Sequence, residues 1–359
     1  MKKILTIVGA RPQFVKAAVV SRAFAKASGF EEKIIHTGQH FDKNMSDVFF
    51  EEMEIPKPAY NLEVNSLGHG AMTGRMLEKL EEVFEKEEPD MVLVYGDTNS
   101  TIAGALAARK MHIPVAHVEA GLRSFNMKMP EEVNRILTDR ISDILYCPTE
   151  TAIQNLKREG YDNIDTVIEK SGDVMYDAAL FYKEKGEASD FVKSLPQNNF
   201  VLCTIHRAEN TDDPERLAFI VNALNQLNQE TKVVLPLHPR TKKKLAEVGL
   251  KLDFETIDPV GYLDMVQLLD RCKFVVTDSG GLQKEAFFFK KHCLTLREQT
   301  EWVELIENGV NTLINSGEEF TSHAKRLLNE TNFPELELYG KGNAGEMIVN
   351  SLDKYFETH

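Results

Sequence analysis

Two acidic side chains stand shortly after short apolar runs in the first half of the chain. Asp97 follows the run Met91–Tyr95, and Glu119 follows the run Val115–Val118. If both runs are parallel strands, the two carboxylates lie at one edge of a sheet, where burial and neighbouring charges can tune an acid for proton transfer. The pattern predicts general acid or base chemistry. The alternative for Asp97 is a structural role as the cap of a helix that begins at Asn99.

A third acidic position lies at a predicted helix start. Pro130 is followed by Glu131 and Glu132, and Arg135 comes about one turn later. Proline and acidic residues both favour the first turn of a helix, which is in itself a sufficient structural reason for the two acids. We expect only one of the two glutamates to face the candidate site.

The first candidate anion site follows the first apolar run of the chain. Gly9 is expected to permit a tight turn, and the helix that follows starts near Arg11 and carries Lys16. A helix N-terminus beside two cations attracts phosphate. A turn glycine beside surface cations gives the same pattern without a ligand. The segment is not GxGxxG, so the dinucleotide-binding fingerprint is absent here.

The second candidate anion site lies in the second half of the chain. Ser279, Gly280 and Gly281 stand between a predicted strand and a helix that carries Glu285. Backbone N–H groups at such a helix start can bind phosphate, and a carboxylate further along can accept hydrogen bonds from ribose hydroxyls. A simple serine cap explains part of this pattern. Two anion sites in one chain together favour a pyrophosphate ligand.

An imidazole and a guanidinium, His206 and Arg207, end another predicted strand. Such a pair can hold phosphate charge, so ligand binding is favoured over a purely structural role. Metal binding is not indicated. His117 and Glu119 form an HxE pair, but the sequence around Cys147 is not PCxxC, and no HExxH or EF-hand spacing occurs.

The apolar pattern predicts the elements that position these residues. Short runs rich in β-branched residues alternate with stretches of helical period, which is typical of β-α-β units with buried parallel strands. The predicted strands are 4–8, 33–37, 91–95, 115–118, 144–147, 200–204, 232–237, 254–257, 274–277 and 292–296. The clearest predicted helices are 73–88, 216–228 and 345–356.

This rhythm predicts an α/β protein with two Rossmann-like, doubly wound domains. A length of 359 residues agrees with about two domains. Gly172 lies in the flexible segment nearest the midpoint, so the expected domains are 1–171 and 172–342, with a helix in 343–359 that returns to the first domain. The carboxyl edges of both sheets are then expected to face an interdomain cleft, where such folds bind ligands.

Charge and cysteine content exclude several classes of function. The net charge is -14, which disfavours nucleic acid as a partner. The four cysteines are widely spaced without a CxxC pair, which favours a reducing compartment over a disulfide framework. The first apolar run is interrupted by Arg11, too soon for a signal peptide or a membrane span. We therefore expect a cytoplasmic protein that does not associate with membranes.

Taken together, these motifs resemble the non-hydrolysing UDP-N-acetylglucosamine 2-epimerases, which have the GT-B fold of two Rossmann-like domains. The resemblance covers nearly the whole chain and is carried by GARPQFVK, TGQH, GDT, HVEAGLR, PEEVNR, the HR pair and TDSGG. It implies a UDP-sugar substrate, a homodimer, and no cofactor or metal. The residues that it implies as catalytic are Asp97, Glu119, Glu131 and His206. Those that it implies as substrate-binding are Arg11, Lys16, Arg135, Arg207, Ser279, Gly280, Gly281 and Glu285.

The chemistry of such a reaction explains why anion sites and carboxylates occur together. The proton on sugar C2 is not next to a carbonyl, so direct removal is unfavourable. Breaking the anomeric C–O bond first, with UDP as leaving group, acidifies C2. Elimination gives a 2-acetamidoglucal and UDP, and re-addition from the other face converts UDP-GlcNAc to UDP-ManNAc. We expect the product to feed surface polysaccharide synthesis.

Some segments differ from the motifs of those family members whose substrate is also an allosteric activator. Residues 41–43 and 66–70 differ from the allosteric motifs, so activation by substrate stays open. Met265 stands where an aromatic residue often stacks on uracil, and methionine can also pack on a ring. HTGQHFD and HRAEN also resemble epimerases of UDP-2,3-diacetamido-2,3-dideoxy-glucuronic acid. Two alternative functions stay open, a GT-B glycosyltransferase and a non-catalytic nucleotide-sugar sensor, because both would use the same UDP site.

Overall fold

The computed structural model describes residues 1–39, 50 and 54–358. The chain divides into two compact parts: unit 1 is Met1–Ala178 with Glu337–His359, and unit 2 is Ala179–Leu336. The segment around Gly172 lies within unit 1. Asp173 donates its backbone N–H to the carbonyl of Tyr339 (3.0 Å), so the outgoing and returning segments of the chain pack together there.

Within the described residues, unit 1 contains a parallel sheet of seven strands in the order β3-β2-β1-β4-β5-β6-β7. The strands are β1 Lys2–Val8, β2 Phe30–His36, β3 Tyr60–Asn61, β4 Met91–Tyr95, β5 Val115–Val118, β6 Ile144–Cys147 and β7 Val167–Lys170. The predicted bounds of β4, β5 and β6 are confirmed. Sequence analysis missed β3, which has two residues, and β7, an edge strand without a buried side chain.

Helices cover the unit 1 sheet, and β4 is buried at every position as a result. The helices are Arg11–Lys26, His69–Glu87, Asn99–Lys110, Pro130–Ile141, Glu150–Arg158, Val174–Lys185, which continues into unit 2, and Ala344–Thr358. This last helix packs against Arg11–Lys26. Tyr146 of β6 donates its hydroxyl to Ser351 Oγ (3.1 Å) on the same helix. The buried face of this helix, which includes Ile348, Val349 and Leu352, is therefore part of the unit 1 core.

Unit 2 contains a parallel sheet of five strands in the described residues, in the order β12-β11-β10-β8-β9. The strands are β8 Phe200–Thr204, β9 Lys232–Val234, β10 Val275–Thr277, β11 Cys293–Thr295 and β12 Asn311–Leu313. The strand predicted at 254–257 is wrong, since Ile257 forms only an isolated bridge with Pro236. Pro236 lacks the N–H that further pairing with β8 would need, which explains why β9 is shorter than predicted. Sequence analysis missed β12.

The helices of unit 2 complete the alternating order. They are Asp190–Ser194, Ala208–Thr211, Pro214–Glu230, Pro239–Val248, Tyr262–Arg271, Gly280–Phe288, Val303–Glu307 and Gly317–Asn329. Two parallel sheets with alternating helices confirm the predicted α/β class. No helix among the described residues has the length and apolar character needed to cross a membrane.

Each sheet has one point at which the strand order reverses. In unit 1 this point lies between β1 and β4, and in unit 2 it lies between β8 and β10. Ligands of open α/β sheets bind outside the carboxyl ends of the strands at such switch points. The candidate residues Arg11 and Asp97 follow β1 and β4, and His206 and Ser279 follow β8 and β10.

Candidate active site

The turn after β1 is held close to its neighbours. A Cβ atom at Gly9 would overlap the hydroxyls of Ser100 and Thr37. Gly9 is absent from the described residues with positive φ, so the turn does not need a left-handed glycine, and close packing is what excludes a side chain there. Gln13 fixes the turn by accepting hydrogen bonds from the N–H groups of Gly9 (2.8 Å) and Ala10 (3.1 Å).

The same glutamine ties the β1 turn to the β4 turn. Its amide nitrogen donates to the carbonyl of Tyr95 (2.6 Å) and to Thr98 Oγ1 (3.0 Å). Sequence analysis gave Gln13 no role, because a side chain that joins two turns far apart in the sequence leaves no local pattern. Arg11 is the first residue of the helix that follows and is half-buried.

Glu119, directly after β5, lies beside a cation. Lys16 Nζ forms an ion pair with Glu119 Oε2, and both side chains are largely buried, with 15% and 8% of their surfaces exposed. The structure thus brings together two residues that sequence analysis assigned to different tasks. Glu119 has φ +69°, a left-handed conformation that costs a non-glycine residue about 1 kcal/mol or more.

Asp97, after β4, also lies beside a cation. Its carboxylate forms an ion pair with Arg135, and Asn134 Nδ2 donates to its backbone carbonyl (2.9 Å). The cap of the following helix is Thr98, whose hydroxyl accepts a hydrogen bond from the N–H of Thr101 (3.3 Å). The alternative role of Asp97 as a helix cap is therefore wrong.

The two glutamates of the helix Pro130–Ile141 have different environments. Glu131 is exposed. Glu132 is buried and accepts hydrogen bonds from the N–H groups of Ser124 (2.9 Å) and Phe125 (2.8 Å) and from Arg135 (3.1 Å). Burial alone would raise the pKa of Glu132, but these backbone N–H groups lower it overall. Glu132 is thus committed to holding the 124–125 turn, and Glu131 is the one of the pair that solvent or a ligand can reach.

In unit 2, a buried carboxylate organises the end of β8. Asp278 has no exposed surface and accepts hydrogen bonds from the backbone N–H groups of His206 (3.0 Å) and Arg207 (3.0 Å) and from Asn210 Nδ2 (3.1 Å). His206 Nδ1 lies 3.1 Å from the same carboxylate. Burial alone would raise the pKa of Asp278, but the bonds from His206 and the Arg207 N–H lower it overall.

The side chain of His206 lines a cavity of about 290 Å³ within unit 2. Its lining includes four apolar side chains, Pro236, Pro259, Val260 and Met265. The described residues that line the whole cavity are Thr204, Ile205, His206, Pro236, His238, Pro259, Val260, Met265, Ser279, Gly281, Leu282 and Glu285. Four predicted site residues, His206, Ser279, Gly281 and Glu285, are thus brought together.

The helix Gly280–Phe288 starts at this cavity. Ser279 is its cap and accepts a hydrogen bond from the N–H of Leu282 (3.4 Å). A Cβ atom at Gly281 would meet no atom within 4 Å, so that position is open. The N–H groups of the first helical turn form an anion-binding end.

Two predicted residues of unit 2 do not line the cavity. Arg207 forms an ion pair with Glu209 (3.2 Å), and a Cβ atom at Gly280 would overlap the carboxylate of Glu301. The described residues contain no group of three or more side chains suited to hold a metal ion. Of the segments that bear on substrate activation, 41–43 lies outside the described residues, and 66–70 leads into the helix His69–Glu87.

Comparison with known proteins yields consistent matches along the chain. The model of a family described as UDP-N-acetylglucosamine 2-epimerase matches residues 22–353. A UDP-2,3-diacetamido-2,3-dideoxy-D-glucuronate 2-epimerase of Pseudomonas aeruginosa is 56% identical over 98% of this chain and 99% of its own length. A UDP-N-acetylglucosamine 2-epimerase of Methanococcus maripaludis is 44% identical over 98% of both chains.

A solved structure resembles the whole chain to a similar extent. The crystal structure of the UDP-GlcNAc 2-epimerase of Methanocaldococcus jannaschii, in complex with UDP-GlcNAc and UDP, matches with a TM-score of 0.82 and 41% identity. The match covers 98% of this chain and 99% of that one.

Proposed function

The chain belongs to the UDP-N-acetylglucosamine 2-epimerase family and is an isomerase, and on that premise we propose that it inverts C2 of a UDP-2-acetamido sugar by eliminating UDP and adding it back. The observation that carries this mechanism is the pair of carboxylates at the carboxyl ends of the adjacent strands β4 and β5, Asp97 and Glu119, each beside a cation. Acids held in this way have defined positions, which proton transfer requires.

The proposed reaction has two mirrored halves. In the first, UDP leaves C1 with the electron pair of the C1–O bond, and a carboxylate takes the proton from C2, so that a C1=C2 double bond forms. In the second, a protonated group delivers a proton to the opposite face of C2, and the UDP oxygen bonds again to C1. Asp97, Glu119 and Glu131 are the proposed proton carriers. Lys16 and Arg135 keep the first two in position.

The leaving group needs a separate set of partners, and the cavity of unit 2 supports that task. We assign the phosphates to Ser279 and Gly281, which line the cavity at the helix start, and to the backbone N–H of Gly280 between them, and the ribose to Glu285. The apolar lining residues, among them Met265, suit the uracil ring. His206, which Asp278 holds by its Nδ1 side, is proposed to stabilise the departing pyrophosphate through Nε2. Arg207 is the further anion partner proposed in unit 2. Arg11, at the start of the helix Arg11–Lys26 of unit 1, is proposed as a substrate-binding residue.

Two sugars fit this reaction, and they differ at C3 and C6. UDP-GlcNAc, the sugar of our main prediction, is supported by the family and by the M. maripaludis relative at 44% identity. The 2,3-diacetamido uronate is supported by the P. aeruginosa relative at 56% identity over the same share of the chain. Because that identity is higher, we propose that the uronate is the preferred substrate and that UDP-GlcNAc is a second substrate of the same site.

Incubation of the purified chain with each UDP-sugar alone tests the proposal, with the products followed by proton NMR. We expect the C2 epimer to form without any acceptor, and kcat/KM to be about tenfold higher for the uronate. Glu78→Gln should epimerise both sugars as the wild type does, and it controls for the loss of an acid outside the site. Glu78 is an exposed acid on the helix His69–Glu87 that pairs with Arg75. Sugar transfer that requires an acceptor, or binding without any turnover, would contradict the proposal.

We also propose that the chain works in the cytoplasm as a homodimer. Its four cysteines are buried as free thiols, which suits a reducing compartment. Sedimentation velocity tests the assembly: a species of twice 40.6 kDa is expected, and a monomer at working concentration would contradict it.

A further inference from the structure

A buried pair of side chains, which the proposed chemistry does not use, contacts the turns of the two strand-end carboxylates. His117 belongs to β5 and Asp139 to the helix Pro130–Ile141, and neither side chain has exposed surface. His117 Nδ1 lies 2.7 Å from Asp139 Oδ1, and His117 Nε2 lies 2.8 Å from the carbonyl oxygen of Gly96. Both ring nitrogens therefore face oxygen atoms at hydrogen-bond distance.

The identity of these oxygens determines the charge of the imidazole. A backbone carbonyl can only accept a hydrogen bond, so His117 Nε2 carries a proton. Asp139 is ionised: its other oxygen accepts hydrogen bonds from Arg123 (2.7 Å) and the Gly121 N–H (3.1 Å). Hence Nδ1 also donates, and the ring holds two protons.

The neighbouring groups balance this buried positive charge. Arg123 binds Asp139 and also pairs with both oxygens of Glu159, at 2.7 and 2.8 Å. Two cations and two anions thus form a neutral cluster, which is how a protein accommodates ions away from water. Cys147, which also faces the cluster, stays a neutral thiol because burial raises its pKa above the usual range.

The pair joins the two turns that carry the proposed proton carriers. His117 binds the carbonyl of Gly96, the residue before Asp97. Asp139 binds the N–H of Gly121, shortly after Glu119. Gly96, Glu119 and Gly121 all have positive φ, at 66°, 69° and 77°. Backbone of this kind persists only where surrounding contacts fix it, and the pair supplies those contacts for both turns.

We propose that His117, held as a buried imidazolium by Asp139, is a positioning residue that fixes the turns of Asp97 and Glu119 relative to each other. The functional part of this inference rests on the proposed function, since it assumes that these two carboxylates move protons. The structural part, the charge of His117, stands without it.

The charge is tested first, on the wild-type protein labelled with ¹⁵N-histidine. The expected spectrum shows a proton on both ring nitrogens of His117 between pH 7 and pH 8, because each nitrogen faces an acceptor oxygen. His117→Gln assigns the resonance by its loss. A neutral ring with one unprotonated nitrogen in this range would overturn the proposal. This measurement does not depend on activity, so it is decisive even if no UDP-sugar is epimerised.

The positioning role is tested by kinetics of His117→Gln, whose single amide nitrogen cannot donate in two opposite directions. We expect kcat to fall about 10- to 100-fold, while KM and the affinity for UDP change less than about twofold. Asp139→Asn should likewise lower kcat while KM and UDP affinity stay nearly unchanged, and it replaces His117→Gln in the test if that variant does not fold. The matched control is Glu87→Gln, which removes another buried acid of unit 1, one bound by Lys3, Lys33 and Tyr60. An unchanged kcat in folded His117→Gln, or an equal loss of kcat in Glu87→Gln, would overturn the role.

Discussion

The two units place their polar groups in opposite ways. In unit 1, each strand-end acid lies beside a cation, and the turns that carry the acids are fixed from below by Gln13, His117 and Asp139. In unit 2, one buried acid, Asp278, orients the end of β8, and the groups above it line an open cavity. The polar groups of unit 1 thus have fixed positions, which suits the proton transfer proposed there, and unit 2 offers open space, which suits the nucleotide binding proposed there.

The largest expected effect comes from the acids of unit 1. Asp97→Asn, Glu119→Gln and Glu131→Gln should each lower turnover about 100-fold or more, since each removes a group proposed to carry a proton. UDP affinity measured by calorimetry should stay within about twofold, because the nucleotide is assigned to unit 2. Glu132→Gln is a useful contrast. Because Glu132 accepts hydrogen bonds from the 124–125 turn, this variant should mainly lower the free energy of unfolding. Near wild-type turnover in any of the three variants would remove that residue from the proton-transfer set.

A smaller effect is expected from the imidazole of unit 2. His206→Ala should weaken UDP binding about tenfold and lower turnover as well, because the ring lines the cavity and is proposed to contact the pyrophosphate. His292→Ala is the control, as that histidine is bound to the backbone carbonyls of Val310 and Asn332. Unchanged UDP affinity in His206→Ala would assign the ring to the sugar or to structure and would weaken the contrast between the units.

The smallest effect concerns the space in the cavity. Gly281→Ala should weaken UDP binding a few-fold without lowering the melting temperature, because the added methyl group meets no protein atom but occupies room beside the helix start. Gly74→Ala, at an open position in the helix His69–Glu87, should leave UDP affinity unchanged. Full UDP affinity in Gly281→Ala would place the phosphates elsewhere.

Local sequence patterns predicted the features that depend on neighbouring residues in the sequence, namely strands and the residues at their ends. The runs 91–95, 115–118 and 144–147 are strands with the predicted bounds, since continuous apolar runs between turns reflect burial on both faces. The run 254–257 is not a strand, because its pairing with the neighbouring segment is an isolated bridge at Ile257, held by hydrogen bonds to Leu235 and Leu237. Candidate residues at strand ends were likewise predictable, because glycines and acids that follow buried runs form a visible pattern.

The partners of those residues were not predictable in the same way. Lys16 and Glu119, Asp97 and Arg135, and His206 and Asp278 are joined by the fold across long stretches of sequence. No periodicity relates such positions. The reason for Gly9 also became visible only in three dimensions, since it depends on hydroxyls contributed by a helix and by the segment after β2.

The most direct test of the central claim is exchange at C2 of the sugar in heavy water. The wild-type chain is incubated with the UDP-sugar in D₂O, and deuterium at C2 and free UDP are followed by NMR. The account predicts one deuterium at C2 in the epimerised product, with free UDP present transiently, and neither signal in Glu119→Gln. Epimerisation that retains the original hydrogen at C2 would contradict it, because proton removal and return from the other face by separate groups exchange that hydrogen with solvent.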